Sequence, residues 1–328
     1  ADTAEMLGHL CTGPGEAPVC RVPEPGKGFG ERTATLVTAQ FDPVVGRVVM
    51  SPGSPNDVGR TRAMEFAVTG SAAVPDRDFH LGDMFRTSRP TAGYFSMGGS
   101  PLQLERLSAL EYDYIVIDGQ HGSFAESDWD HAVRAIEVGG SVAVIRVPEA
   151  GIGVIGRALD AGAAAVIVPL VNSAAEARAA VAAAKFPPAG IRSRGVGRIS
   201  EYLSGSLDEM NRKTAILAMI ETRAGLEAVE EIAAVEHLDG LYIGPNDLSI
   251  ALGGYGIGDP AVDDEFSAAI ERIRAAASAA GKCVVFHTAD GEVAAQRREA
   301  GFAHVTISND VNHVCLAAAD HLRVANGR

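Results

Sequence analysis

The sequence predicts a (β/α)₈ barrel of the TIM type, an α/β fold, preceded by an N-terminal extension. Three observations predict it. Short apolar, β-branched runs recur eight times after residue 89, amphipathic Ala-rich stretches lie between most of them, and polar residues gather where the runs end. Near-continuous apolar strands alternating with helices mean a parallel sheet covered by helices. Eight repeats over about 240 residues is the count of a (β/α)₈ barrel. A doubly wound open sheet is the runner-up, but no GxGxxG fingerprint follows an early strand.

The chain divides near residue 85, giving an extension over 1–85 and a barrel over 86–328. The extension is rich in Gly and Pro (GPGEAP, PEPGKG, SPGSP). It holds one clear motif, the alternating runs ERTATLVTAQFD and GRVVMSPG separated by PVV, which reads as a β-hairpin. A lone hairpin is marginal in water, so this segment is expected to dock on the barrel or on a partner subunit. The barrel strands are expected at 91–98, 112–119, 141–148, 164–171, 214–221, 238–245, 282–289 and 303–310. Helices are expected in SPLQLERLSALE, ESDWDHAVRAIEVG, IGVIGRALDAG, SAAEARAAVAAAK, TRAGLEAVEEIAAV, DDEFSAAIERIRAAASAAG and GEVAAQRREAG, several of which stop at Gly.

At 328 residues the chain can bury one large core and carry a small appendage. No apolar run is long enough to span a bilayer, and no basic segment leads into an apolar signal core. A net charge of -14 argues against nucleic acid and anionic membrane as partners. The four cysteines, Cys11, Cys20, Cys283 and Cys315, show no CxxC or Cys/His metal spacing. Reduced thiols and a cytoplasmic location are the reading, with a Cys11–Cys20 disulfide as the alternative.

In a barrel of this kind the active site lies at the C-terminal ends of the strands. Reading those ends gives Ser96, Asp118 with His121, Arg146, Asn172, Glu221, Asp247, His287, and Asn309 with Asp310. Glu221 closes the run AILAMIE and Asp247 follows LDGLYIGPN. Two carboxylates from neighbouring strands make a hard, oxygen-rich site suited to Mg²⁺, with Mn²⁺ or Co²⁺ as alternatives. Helix N-caps are the competing reading for both, one that Asp favours and Glu does not. Arg146, in VIRVP, offers a planar fork for a developing enolate oxygen, or is a salt-bridged barrel residue. His121, in IDGQHG, is a candidate acid/base, or a structural histidine. None of the four lysines, Lys27, Lys185, Lys213 and Lys282, sits at a strand C-terminal end, so a Schiff-base mechanism is disfavoured.

DYIVIDGQHG, VAVIRVP, ALDAGAAAVIVPLVNSAAEARAAV, FPPAGIRSRGVG and IETRAGLEAVEEIAAVEHLDGLYIGPNDLS together resemble the HpcH/HpaI aldolase/citrate lyase family, the class II, metal-dependent pyruvate aldolases. The resemblance covers about residues 85–325. It implies a barrel whose last helix is exchanged between protomers, giving a homo-oligomer from dimer to hexamer. It also implies metal ligands at Glu221 and Asp247, a catalytic arginine at Arg146, a histidine at His121, and an aspartate orienting that histidine at Asp160. Asp160 also reads as an ordinary helix-end residue. The keto-acid carboxylate would be held by the turn Gly244, Pro245, Asn246 and Asp247, where a helix N-terminus suits an anion.

The chain also departs from that pattern. Gln120 stands where the aldolases carry Glu, and Met219 where Gln is common. The stretch after FPPAGIR is shortened, and His287 replaces a small or apolar residue. The implied activity is a metal-dependent carbon–carbon lyase that acts through a pyruvate or oxaloacetate-derived enolate on an aldehyde-type partner. A macrophomate-synthase-like or citrate-forming synthase is the alternative. A non-catalytic binding barrel is the reading from another class, and it would need the metal pair broken.

Overall fold

The computed structural model describes residues 37–42, 47–52, 64–67, 81–195 and 205–327. The chain forms two compact units, residues 1–78 and 79–328. In the first, β1 (Val37–Asp42) and β2 (Arg47–Pro52) pair antiparallel, which is the hairpin read from the alternating runs. A third strand, β3 (Met64–Ala67), pairs antiparallel with β2. Its four residues are too few to carry a period-two signal. Cys11, Cys20 and Lys27 lie outside the described residues.

The second unit is a closed barrel of eight parallel strands. In chain order they are β4 (Thr91–Ser96), β5 (Tyr114–Asp118), β6 (Val142–Arg146), β7 (Ala165–Val168), β8 (Ala215–Ile220), β9 (Gly240–Ile243), β10 (Cys283–Thr288) and β11 (His304–Asn309). Each falls inside its expected run, and β11 closes the ring on β4. The helices are α1 (Leu81–Met84), α2 (Pro101–Ser108), α3 (Trp129–Gly139), α4 (Ile152–Asp160), α5 (Ala174–Ala184) and α6 (Leu207–Lys213). They continue with α7 (Arg223–Glu227), α8 (Val229–Ala233), α9 (Pro245–Ala251), α10 (Asp263–Ala279), α11 (Gly291–Glu299) and α12 (Asp310–Ala325). The single helix expected over 222–235 is two, because Ala228 leaves helical geometry (φ -98°, ψ 9°) between α7 and α8. Helix α6 was not read from the sequence, although Ser206 and Glu209 form a capping box at its start.

Strand alternation builds two cores. Outward residues such as Ile115, Ile117, Ile145, Val166, Ile216 and Leu241 pack under the helices. Inward residues, among them Phe95, Tyr114, Val144, Leu217, Tyr242 and Val285, fill the barrel. Gly93 exists for this filling: a Cβ there would lie 2.0 Å from the Tyr114 ring. Tyr114 crosses the interior, and its hydroxyl donates to Val305 O at 3.1 Å. Phe85 plugs the end where the strands begin, edge-on to Tyr114 and His304. Full burial of such a ring is worth about 1.5–3 kcal/mol.

That end is also tied by charge. Asp239, just before β9, accepts from Arg86 Nε (2.8 Å) and Nη2 (2.6 Å), Lys185 Nζ (3.2 Å) and the Ile216 N–H (2.8 Å). Lys185 also donates to the carbonyls of Asn211 and Thr214. Lys185, Lys213 and Lys282 all stand on the strand-beginning side, as the sequence placed them. No helix of the described residues is long and apolar enough to cross a membrane.

Candidate active site

The strand register assembles the site. Asp118 stands directly opposite Arg146 across β5 and β6. Their side chains make a two-point ion pair, Nε to Oδ1 at 2.9 Å and Nη2 to Oδ2 at 2.6 Å. Asp118 is fully buried, and Oδ1 also accepts from the N–H groups of Gln120 (3.1 Å) and His121 (3.3 Å). One carboxylate therefore fixes both the guanidinium and the turn carrying His121. The glycines of DGQHG serve close approach. A Cβ on Gly119 would meet Arg146 O at 2.8 Å, and one on Gly122 would meet Asp118 O at 2.3 Å. Beneath Arg146 lies Phe95, with Cζ 5.0 Å from the ring centroid, a cation–π contact.

Across β8 and β9 the register pairs Ile220 with Ile243, so Glu221 falls beside Gly244. A Cβ on Gly244 would stand 2.5 Å from Glu221 Oε2, so only glycine admits the carboxylate here. Glu221 is 2% exposed. Its Oε1 accepts from the Leu170 N–H at 2.8 Å, while buried Oε2 has no hydrogen-bond partner. Leu170 presents that N–H from a left-handed backbone, φ 53°. Burial pushes the Glu221 carboxyl up to about 6, against the Leu170 N–H; the neighbouring Asp247 adds to the rise by its charge and by close side-chain approach, and Arg146 opposes it.

Asp247 lies in the first turn of α9, half-buried, rather than at the strand end itself. Neither carboxylate is an N-cap. Gly244 caps α9, and Thr222 caps α7 by accepting from the Gly225 N–H. Among the described residues, no group of three or more His, Cys, Asp or Glu forms a metal cluster. Two carboxylates, one with an unpartnered buried oxygen, remain a donor set that fits Mg²⁺, which keeps water or substrate oxygens in its other positions.

A cavity of about 250 Å³ opens at the strand C-terminal ends, with Gly244 and Asp247 in its lining and Glu221 outside it, beside Gly244. His121, Arg146, Asp247, His287, Asn246 and Asn309 all line it, with Phe95 and Met97 as apolar wall and Tyr242 beside them, its buried hydroxyl without a hydrogen-bond partner. Asp118, expected among the catalytic groups, stands behind Arg146 and does not line the cavity. Ser96, Asn172 and Asp310 are committed elsewhere. Ser96 donates to Asp310 (2.7 Å), which also accepts from the Met97 and Val311 N–H groups. Asn172 joins the turns after β7 and β8 through Leu170 O and Thr222. In the turn Gly244 to Asp247, the Gly244 N–H is directed to Ile220 O and Pro245 has none. Only the amides of Asn246 and Asp247 are left to an anion.

Asp160, which the resemblance implies as the residue orienting His121, stands elsewhere within one chain. It ends α4, and the helix after a barrel strand runs back to the side where strands begin. There it pairs with Arg192 at 2.8 Å. Within one chain it does not reach His121. Phe95 and Leu170 were missed, since a cation–π contact and a left-handed leucine leave no mark in the sequence. The stretch read as shortened after Arg192 lies largely at 196–204, outside the described residues.

The comparisons with known proteins bear on this arrangement. A family model, HpcH/HpaI aldolase/citrate lyase, matches residues 91–317. The chain belongs to the HpcH/HpaI aldolase/citrate lyase family. A hydroxypyruvate/pyruvate aldolase of Rhizorhabdus wittichii is 37% identical over 241 residues, 72% of this chain and 93% of that protein. A 2-keto-3-deoxy-L-rhamnonate aldolase of Klebsiella pneumoniae is 37% identical over 199 residues, 58% of this chain and 73% of that protein. The crystal structure of citrate synthase SbnG superposes with a TM-score of 0.68 at 26% identity, covering 76% of this chain and 98% of that one. The fold and the aldolase-type lyase class read from the sequence both stand.

Proposed function

We propose that this enzyme is a divalent-metal-dependent aldolase that makes a pyruvate enolate and joins it to, or releases it from, an aldehyde-type partner. Oxaloacetate is a second source of the same enolate. The observation that carries this reading is Glu221 Oε2, a buried and unpartnered carboxylate oxygen beside Asp247 in the barrel mouth. Buried charge without a partner is costly, so the site has a use for the cost. Glu221 and Asp247 would hold the cation, Mg²⁺ by donor type, which when bound supplies Lewis acidity to a keto-acid carbonyl.

The chain's own groups do the rest. Asn246 and Asp247 offer backbone N–H groups to the keto-acid carboxylate. Arg146, held by Asp118 and Phe95, keeps a fixed positive charge next to the carbonyl oxygen where enolate charge develops. His121, exposed at the mouth, is the acid/base that moves a proton to or from the substrate. The cavity carries no lysine, so the enolate does not form through a Schiff base.

Glu221→Gln and Asp247→Asn are each expected to lower turnover of pyruvate with an aldehyde by at least about 10³-fold, and excess chelator to do the same to the unaltered enzyme. Full activity in chelator would contradict the reading.

The same reading includes a homo-oligomer. Helix α12 is exposed nearly throughout, with Val314 63%, Leu316 68% and Leu322 64% accessible. Apolar side chains on a helix left uncovered by the described residues suit a second copy. Light scattering on Val314→Lys with Leu316→Lys should show a smaller particle; an unchanged particle would count against it. A cytoplasmic setting also belongs to this reading, consistent with the free thiols Cys283 and Cys315.

A further inference from the structure

His287 is a polar group of the mouth to which the handling of the keto acid gives no part. His287 shares the inward parity of Val285 on β10, and the pairing of Phe286 with Ile243 sets it beside Gly244. Gly244 is thus flanked by Glu221 on one strand and His287 on the other. The His287 ring packs edge-on to Phe95 at 5.0 Å, and Phe95 carries Arg146 at 5.0 Å. Nδ1 is buried without a hydrogen-bond partner, and no hydrogen bond to this side chain is formed among the described residues. Leaving such an atom unpaired costs about 1–3 kcal/mol, so its partner is to be sought in what the cavity binds.

The chemistry of that partner follows from charge. Burial first, then the Arg146 charge, hold the imidazole neutral, down to about 4, with Asp118 opposing. A neutral imidazole has one N–H to donate and one lone pair to accept. It offers no counter-charge to a carboxylate. Arg146 is the one permanent cation among the described residues that line the cavity, and Asp118 already takes two of its hydrogen bonds. An amine, for its part, would enter beside that cation. An uncharged hydroxyl meets neither obstacle. The cavity, at about 250 Å³, lies below the roughly 300–1,000 Å³ typical for drug-sized ligands, so the molecule is short.

We propose that His287 determines specificity for the second substrate by hydrogen-bonding a hydroxyl next to the reacting carbonyl of a short, uncharged aldehyde. This rests on the aldolase reading and adds to it the class of the electrophile. A site built around a hydrogen bond rejects the analogue that lacks the hydroxyl, because its own polar atom is then left unpaired.

The test compares glycolaldehyde with propanal, which replaces the hydroxyl by a methyl group. kcat/KM for each is measured with pyruvate and Mg²⁺ on the full chain and on His287→Leu and His287→Gln. The glycolaldehyde-to-propanal ratio should fall about tenfold in His287→Leu, and His287→Gln, which keeps a donor and an acceptor, should recover part of it. His287→Phe serves as a second apolar replacement if the leucine variant folds poorly. A separate readout, exchange of pyruvate methyl protons into deuterated water by the unaltered enzyme without aldehyde, checks the underlying reading. Exchange present with an unchanged ratio in the apolar variants overturns the role of His287 and leaves the aldolase reading standing. No exchange at all sinks both.

Discussion

Two buried carboxylates, one at each end of the barrel, are treated in opposite ways. Asp239, where the strands begin, is 9% exposed and receives four hydrogen bonds, three of them from the cationic side chains of Arg86 and Lys185. Glu221, where the strands end, is 2% exposed and receives one, from the Leu170 N–H. The first is a saturated structural tie. The second leaves an oxygen free and its carboxyl raised to about 6 by burial. The same low-dielectric scaffold thus makes one carboxylate hold elements together and makes another available to a ligand. Backbone strain does not separate the two ends. Left-handed non-glycine residues occur at both, Glu111 and His237 at one and Leu170 and Ser308 at the other. The difference between these two carboxylates lies in the one oxygen of Glu221 that is left without a hydrogen bond.

Substitution sharpens the contrast. Asp239→Asn leaves buried Lys185 without its counter-charge and Arg86 with only the exposed Asp83, and breaking a buried pair from one side costs about 3–5 kcal/mol. Glu221→Gln removes a charge whose burial outweighs the help it gets from the Leu170 N–H and Arg146, so metal-free stability near neutral pH should stay level or rise. Denaturant unfolding of both variants against the parent chain measures this. Comparable losses at the two positions would erase the distinction.

A smaller effect concerns pH. With a folded value of about 6 against an ordinary 4.5, Glu221 keeps its proton longer in the folded chain than in the unfolded one. Its contribution to stability is therefore fully present below about 4.5 and lost as pH rises through about 6. The loss is about 2 kcal/mol in metal-free protein. The difference in unfolding free energy between the parent and Glu221→Gln should change over that window and be flat above it. A difference that is flat throughout would show that Glu221 is solvated or paired after all.

The barrel was legible because strands buried on both faces write themselves as unbroken β-branched runs, and AAVIVPLV or YDYIVIDG fits little else. The carboxylates, Arg146 and His287 were legible as polar residues at the ends of such runs. Their partners were not. The Asp118–Arg146 pair depends on strand register, Phe95 beneath Arg146 on ring placement across the barrel, and Leu170 on a left-handed φ that leucine rarely adopts. The place of Asp160 within one chain was not legible for a related reason. Motif resemblance supplies a residue's role but not which end of the barrel it occupies, and α4 carries Asp160 to the end away from His121.

The central claim is that Glu221 and Asp247 form a divalent-cation site in the barrel mouth. Titration of the full chain with Mn²⁺, following free Mn²⁺ by electron paramagnetic resonance, tests it without reference to turnover. The account predicts one site per chain in the parent, its loss in Glu221→Gln and in Asp247→Asn, and its retention in Asp239→Asn that remains folded. Equal Mn²⁺ binding by the parent and the double variant Glu221→Gln, Asp247→Asn would contradict it.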